Sequence, residues 1–409
     1  MKTKVNLKKG VSLIFLVITI IVMIILAAAI ILALSNSGII GKANKAKTDS
    51  DTASLKEYVN TLKSEWLLDE AKIKDEDNTI TSFSKYAEKK LSEEGYKTDG
   101  TMGAYVVTDD GALNTLYVEG DKTVVIPEDF TYLEGTISGG VVIKDSKDNE
   151  FVWVPVEDFS KFERTTTYDG KITSLSERHT EPFSKTVTID DKNITLSLEN
   201  DLTGEWAEWT AMRKSVEKYG GFYIGRYEAG STTERISGKE NGTMEVVVKK
   251  GMHVYNCVFW GENMISTKEN ITSSGKNQGK GVVELSRDMY KSSNSIVSTL
   301  CYGVQWDAAL TFISKTDPEY AKGSTGKGNY TGKLALTGSS EEYKVCNIYD
   351  MAGNVHERTM EAYDSNARVI RGGDFDSKSE GTAAGWRGNA IIPNRFKSDG
   401  GFRVTLYLK

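Results

Sequence analysis

The hydrophobic and polar positions of this chain change texture along its length. From Val11 to Leu34 (VSLIFLVITIIVMIILAAAIILAL) 24 residues pass without a charge. As a helix rising about 1.5 Å per residue, such a run reaches about 36 Å, more than the roughly 30 Å of a bilayer's hydrocarbon core. The pattern therefore predicts a transmembrane helix over residues 11–34; the apolar region of a cleaved secretory signal is shorter, about 7–15 residues. Lys2, Lys4, Lys8 and Lys9 precede the run, while Lys42, Lys45 and Lys47 follow it. The leading lysines favour a cytoplasmic N-terminus, hence a single-pass protein of the cell membrane with an extracellular C-terminal portion. Gly38 and Gly41 are expected to interrupt the helix. Leu55, Tyr58, Val59, Leu62 and Trp66 then fall on one face, the stripe of an amphipathic stalk helix within residues 35–72.

Residues 73–125 read as a small α+β linker segment. A helix is expected near Ser82–Glu94 and strands at Ala104–Val107, Leu116–Val118 and Thr123–Ile126, with Asp109-Asp110-Gly111 as a turn. Beyond Pro127 the chain turns to short aromatic-rich strands, clearest at Phe151–Val156, Phe222–Tyr227 and Met244–Val248. Helices are few (Thr203–Lys218, Val304–Ser314), and the loops Thr165–Thr188 and Asn263–Lys280 are long and polar. The expected fold class is α+β. No period of about 20–50 residues recurs, which argues against solenoids and propellers.

Composition narrows the chemistry more than the fold. Lys+Arg 51 against Asp+Glu 57 gives a net charge of −6 over 409 residues, with no basic surplus to draw in nucleic acid. A hydrophobic fraction of 39% supports a sizeable core, so disorder does not describe the whole chain. Cys257, Cys301 and Cys346 lie far apart with no C-x-x-C, which excludes a disulfide-dense scaffold and a cysteine zinc site. His179, His253 and His356 are too few and too scattered for a histidine-rich metal centre. No P-loop or G-x-S-x-G elbow is present, so no nucleotide cofactor is expected.

The segment Lys8-Lys9-Gly10-Val11-Ser12-Leu13-Ile14, followed by the apolar run, resembles the N-terminus of type IV prepilins and pseudopilins. The resemblance implies a basic leader (residues 1–10) cut between Gly10 and Val11 by a prepilin peptidase, methylation of the new terminus, and packing with other pilins in a surface fibre. The family's glutamate five residues past the cut is replaced by Phe15. A membrane anchor outside any fibre therefore stays open beside the pilus reading.

Further on, FVWVPV (Phe151–Val156), GGFYIGRYEAG (Gly220–Gly230), YGVQWDAALTFI (Tyr302–Ile313), NIYDMAGNVHERT (Asn347–Thr359), RVIRGGDF (Arg368–Phe375) and GGFRV (Gly400–Val404) follow in order. Together they resemble the formylglycine-generating-enzyme (sulfatase-modifying factor) superfamily. The resemblance implies a variant of the C-type lectin fold over residues 126–409, with short strands, few helices and long loops. The oxidases of that family hold copper on a cysteine pair between Arg-Gly-Gly and Gly-Phe-Arg; here the matching places fall near Ser377 and Thr382, and Arg371–Arg403 contains no cysteine. The histidine cluster of the iron-dependent sulfoxide synthases is also missing. No copper and no enzymatic activity of either kind is expected.

Arg371 and Arg403 each need a carboxylate or carbonyl partner if buried. Asp350 and Glu357 bracket a glycine-containing turn and are hard oxygen ligands of the sort Ca²⁺ takes. The resemblance implies calcium held by Asp350, Gly353, Val355 and Glu357, the middle two through backbone oxygen. In the other open reading the two acids bond backbone amides and hold the loop without metal. The same fold serves as the variable protein of diversity-generating retroelements, whose segment between Arg-Gly-Gly and Gly-Phe-Arg is the ligand-binding face. The resemblance carries that role to Asp374, Phe375, Asp376, Lys378, Trp386, Arg387, Asn389, Asn394 and Phe396 here. An extracellular adhesion or ligand-binding protein for a protein or carbohydrate ligand is the favoured function. A structural minor pilin or secretion pseudopilin without a dedicated ligand is the alternative, and an enzyme with an unrecognised site the third.

Overall fold

The computed structural model describes residues 39–167, 186–189, 192–195, 207–235, 244–261, 280–322, 326–364, 367–377, 382–391 and 397–409. The expected leader junction at Gly10 and Val11, the expected span 11–34 and Phe15 lie outside the described residues, as do most of the two polar loops. Among the described residues, no helix is long and apolar enough to cross a membrane. The chain divides into two compact units, Met1–Thr81 and Ser82–Lys409.

Among the described residues, the first unit presents the helix α1 (Ile39–Glu76). It runs unbroken through Gly41, where an interruption was expected: a propensity loss of about 1 kcal/mol is small beside the lysines and alanines that surround it. Leu55, Val59, Leu62 and Trp66 are buried, as their spacing predicts. Leu67 and Leu68 fall off the stripe and are 69% and 83% exposed. Just beyond them the helix kinks at Asp69, whose backbone leaves helical angles.

The second unit opens with α2 (Phe83–Glu93), capped by the Ser82 hydroxyl, which accepts from the Lys85 amide, and buried along Phe83, Tyr86, Ala87 and Leu91. A three-stranded antiparallel sheet follows: β1 (Tyr105–Val107), β2 (Leu113–Glu119) and β3 (Lys122–Ile126). The Asp109–Gly111 turn joins the first two, with Gly111 at φ 94°.

Strands β4 (Phe130–Glu134), β5 (Val142–Asp145) and β6 (Glu150–Pro155) form a meander. After them come the hairpin β7 (Thr186–Ile189) and β8 (Lys192–Thr195), then α3 (Ala207–Tyr219), β9 (Gly221–Gly225), β10 (Gly230–Ser231) and β11 (His253–Val254). Next are α4 (Val282–Asp288), β12 (Ile296–Leu300), α5 (Gly303–Ser314), β13 (Lys344–Val345) and β14 (Ile348–Tyr349). The last strands are β15 (His356–Asp364), β16 (Ala367–Arg371), β17 (Arg387–Ile391), β18 (Gly400–Phe402) and β19 (Val404–Leu408).

Two sheets position the chemistry. The larger is antiparallel in the order β12-β19-β9-β6-β5-β4. Its central strands are covered throughout: every residue of β9 and of β19 is buried, as expected of strands covered on both faces. Helix α3 packs on β9 and β19, α4 on β12, and α5 on β6 and β15. The smaller sheet runs β17-β16-β15-β18, with β15 and β18 parallel. It carries the last three sequence motifs.

The expected strand Met244–Val248 does not form. Only Val247 makes a bridge, to Gly230, although Val246, Val247 and Val248 are buried. Its apolar pattern reports burial rather than pairing: the Val248 amide donates to the Asn149 side chain, and the Val248 carbonyl accepts from Glu150.

Candidate functional site

The turn between β14 and β15 is built from residues that tolerate left-handed backbone. Asp350 (φ 55°), Gly353 (φ 74°) and Asn354 (φ 60°) all adopt it. At Gly353 a side chain has no room either, since a Cβ would stand 2.5 Å from the Asn329 carbonyl oxygen. Asn354 then ties the turn down. Its Oδ1 accepts from Asn329 Nδ2 (2.9 Å) and the Ala335 amide (3.0 Å), and its Nδ2 donates to Glu228 Oε2 (2.7 Å).

This fold places three buried carboxylates, Glu228, Asp350 and Glu357, around one guanidinium, Arg403. Arg403 Nε donates to Glu357 Oε2 at 3.0 Å, and its other nitrogens reach Glu357 Oε1 and the carbonyls of Gly225 (2.9 Å) and Tyr349 (2.9 Å). Asp350 Oδ2 accepts from the Gly338 amide at 2.7 Å, while its Oδ1 is buried without a hydrogen-bond partner. Burial pushes Glu228 well above the usual carboxylate range, with the charges of Asp350 and Glu357 adding to the effect. Burial likewise lifts Asp350 to about 6, against the opposing pull of the Gly338 amide and Arg403.

The quartet expected to hold calcium does not fit that ion as a set. Glu357 gives both oxygens to Arg403, so Asp350 Oδ1 and the two backbone oxygens of the quartet would face an ion that takes six to eight. The arrangement instead resembles the metal-free alternative for Asp350, which bonds a backbone amide; Glu357 bonds an arginine.

A second ionic cluster clamps the strands that flank the expected ligand face. Arg371 donates to Asp307 Oδ1 at 2.8 Å, and Arg387 donates to Asp307 Oδ2 and, at 3.1 Å, to Glu361 Oε1. All four side chains are essentially without solvent exposure. Arg387 was expected on the ligand face; the structure places its side chain inside, as a strand clamp, because two buried acids demand a partner there.

Of the other expected ligand residues, Asp376 is exposed and Asp374, Phe375 and Trp386 are half-buried. The Trp386 ring lies over Gly388, where a Cβ would meet it at 2.4 Å. Asn389 sits on β17, and Lys378, Asn394 and Phe396 lie outside the described residues. Ser377 donates to Asp374 Oδ1 at 2.8 Å. Cys257, Cys301 and Cys346 are buried, and none of them is in a disulfide.

Sequence reasoning missed Glu228, Asp307 and Glu361. A signal existed for the first, a lone acid in the run FYIGRYEAG, whose one other charge is Arg226. For Asp307 it was the single charge on the apolar helix YGVQWDAALTFI.

Residues 306–407 match the family described as Sulfatase-modifying factor enzyme 1-like domain. The matched span includes most of α5 and all of β13 to β18, with the Arg-Gly-Gly and Gly-Phe-Arg motifs. No curated protein matches the chain. Among solved structures, PvdO from Pseudomonas aeruginosa is 13% identical, with 65% of this chain and 98% of that one covered and a TM-score of 0.28. CarF is 16% identical over 46% of this chain and 87% of its own, with a TM-score of 0.27. Treponema denticola variable protein 1 is 12% identical over 71% and 98%, with a TM-score of 0.23.

Proposed function

We propose that this chain is a surface-displayed binding or adhesion protein, anchored in the cell membrane by residues 11–34, whose lectin-like C-terminal head recognises a protein or carbohydrate ligand without catalysis. One observation carries the reading. The segment from Arg371 to Arg403 lacks the cysteines that the oxidases of its family resemblance need, yet it is clamped by fully buried arginines at residues 371, 387 and 403. A rigid frame around a partly exposed stretch of Asp, Phe and Trp suits recognition, since aromatic residues give contact area at low entropy cost. The basic leader and Gly10-Val11 junction support display in a pilus as the route to the surface, with prepilin peptidase and other pilins as partners.

The test uses cells displaying the full chain. The double variant D376A/W386A is expected to lower adhesion at least about tenfold, the scale of one binding hot spot. D376K alone, at an exposed position, keeps the test valid if removal of Trp386 loosens β17. Unchanged adhesion by both variants removes this face from the function. Oxidation of a peptidyl cysteine by the purified chain, above the level of a heat-treated control, overturns the non-catalytic reading.

A further inference from the structure

Beside the carboxylate cluster, His356 stands between two acids that neither of the ionic clamps uses. Its ring is buried, with 3% of the side chain exposed. On one side Nδ1 lies 3.3 Å from Asp374 Oδ2. On the other, Nε2 faces Asp399 Oδ1 at 3.9 Å, and both of these buried atoms lack a hydrogen-bond partner. A gap of 3.9 Å is beyond hydrogen-bonding reach. Two complementary polar atoms are thus held face to face without partners, too far apart to satisfy each other.

We propose that His356 Nε2 and Asp399 Oδ1 are ligands of a first-row divalent metal ion of the zinc class, and that Asp374 is the positioning residue that orients the ring. With bonds of about 2.0–2.2 Å and a tetrahedral angle, zinc holds two such ligand atoms about 3.3–3.6 Å apart, so an ion between them draws this pair a few tenths of an ångström closer. Ligating histidines characteristically give their second ring nitrogen to a carboxylate, which fixes the tautomer. Asp374 fills that role: with its proton on Nδ1 the ring leaves the Nε2 lone pair for the metal. Asp374 is itself fixed by the Asp376 amide (2.9 Å) and the Ser377 hydroxyl (2.8 Å). Burial raises its pKa, but these bonds and His356 hold it below the usual carboxylate value.

The backbone is organised around the same gap. The His356 amide donates to the Asp399 carbonyl at 3.0 Å, and His356 pairs with Gly400 across the parallel strands β15 and β18. At Gly400 a Cβ would stand 3.1 Å from His356 Nε2, so glycine keeps the approach to that nitrogen open. The one histidine and two aspartates bring their ligand atoms within 4.8 Å of one another. A nitrogen with carboxylate oxygens suits zinc and its neighbours rather than calcium. Lys397, 3.6 Å from the other Asp399 oxygen, lowers the site's negative charge, and water completes the coordination. Both features make the ion exchangeable.

The inference is independent of the binding reading, which survives its failure. The test titrates the full-length chain, stripped with a chelator, with Co²⁺ followed by Zn²⁺. Co²⁺ is expected to bind one per chain with a visible absorption band that Zn²⁺ abolishes. H356Q is expected to abolish the band and D399N to weaken binding at least about tenfold. D374N is expected to weaken it by about 10–100-fold, as outer-shell partners do, with the melting of the metal-free chain unmoved. If H356Q does not fold, D399N, on a partly exposed turn, decides. No Co²⁺ band in the wild type, or a band of equal affinity in H356Q or in D399N, overturns the proposal.

Discussion

Glu357 and Glu228 lie close together and carry opposite consequences for stability. Glu357 is bonded through both oxygens to the buried Arg403, so removing its charge strands a guanidinium in the interior. E357Q is expected to lose about 3–5 kcal/mol, the cost of breaking one side of a buried pair. Burial favours the neutral form of both acids, but the hydrogen bonds to Glu228 come from Asn354 and the Val355 amide rather than from a guanidinium. E228Q is expected to lose no more than about 1.5 kcal/mol, the worth of one hydrogen bond, here that from the Val355 amide at 3.3 Å. Urea denaturation of the two variants checks the contrast, and equal losses would mean that Glu228 is ionised in the native chain. The need of Arg371 and Arg403 for a carboxylate or carbonyl partner, if buried, was legible in the sequence. Which acid answers Arg371 was not, because Asp307 lies 64 positions away and the two meet only through the fold.

At the scale of elements, the turn from Asp350 to Glu357 is where the resemblance and the geometry part. Calcium added to the chelator-treated chain is expected to leave the thermal midpoint of this turn's domain unmoved, since Glu357 is already committed to Arg403. A rise of several degrees that E357Q abolishes would restore the calcium reading. The turn's real dependence is on backbone shape: G353A is expected to lose more than about 1–3 kcal/mol, from a left-handed residue placed against the Asn329 carbonyl. Near-UV circular dichroism on heating reports that loss, and a melt within one degree of wild type argues against it. Elements with one clear period were readable, as in α2, with its serine cap and buried stripe, and α5, whose start was expected one residue later. The sheet of β15, β16 and β17 was not, because its buried arginines break the apolar alternation that announces a strand.

For the whole molecule, the larger sheet is closed by its last strand. β19 lies between β12 and β9, pairing antiparallel with both, and so joins the segment around residue 296 to the segment around residue 221. Val404, Leu406, Tyr407 and Leu408 are all buried. At roughly 1.5–3 kcal/mol for each buried apolar side chain, four such residues contribute about 6–12 kcal/mol. That is comparable to the whole stability of an ordinary domain, about 5–15 kcal/mol. Deleting residues 404–409 also leaves β9 and β12 with unpaired inner edges, an invitation to aggregate. The truncated chain is therefore expected to lose the cooperative unfolding transition of the second unit and to be cut by protease throughout residues 82–403. The comparison is with a chain carrying Y407F, which keeps the strand and its apolar surface. If the truncated chain instead retains a wild-type melt, the strands around it hold the fold without β19. The frame of buried arginines, with Arg403 immediately before that strand, would then have to be the principal source of its rigidity.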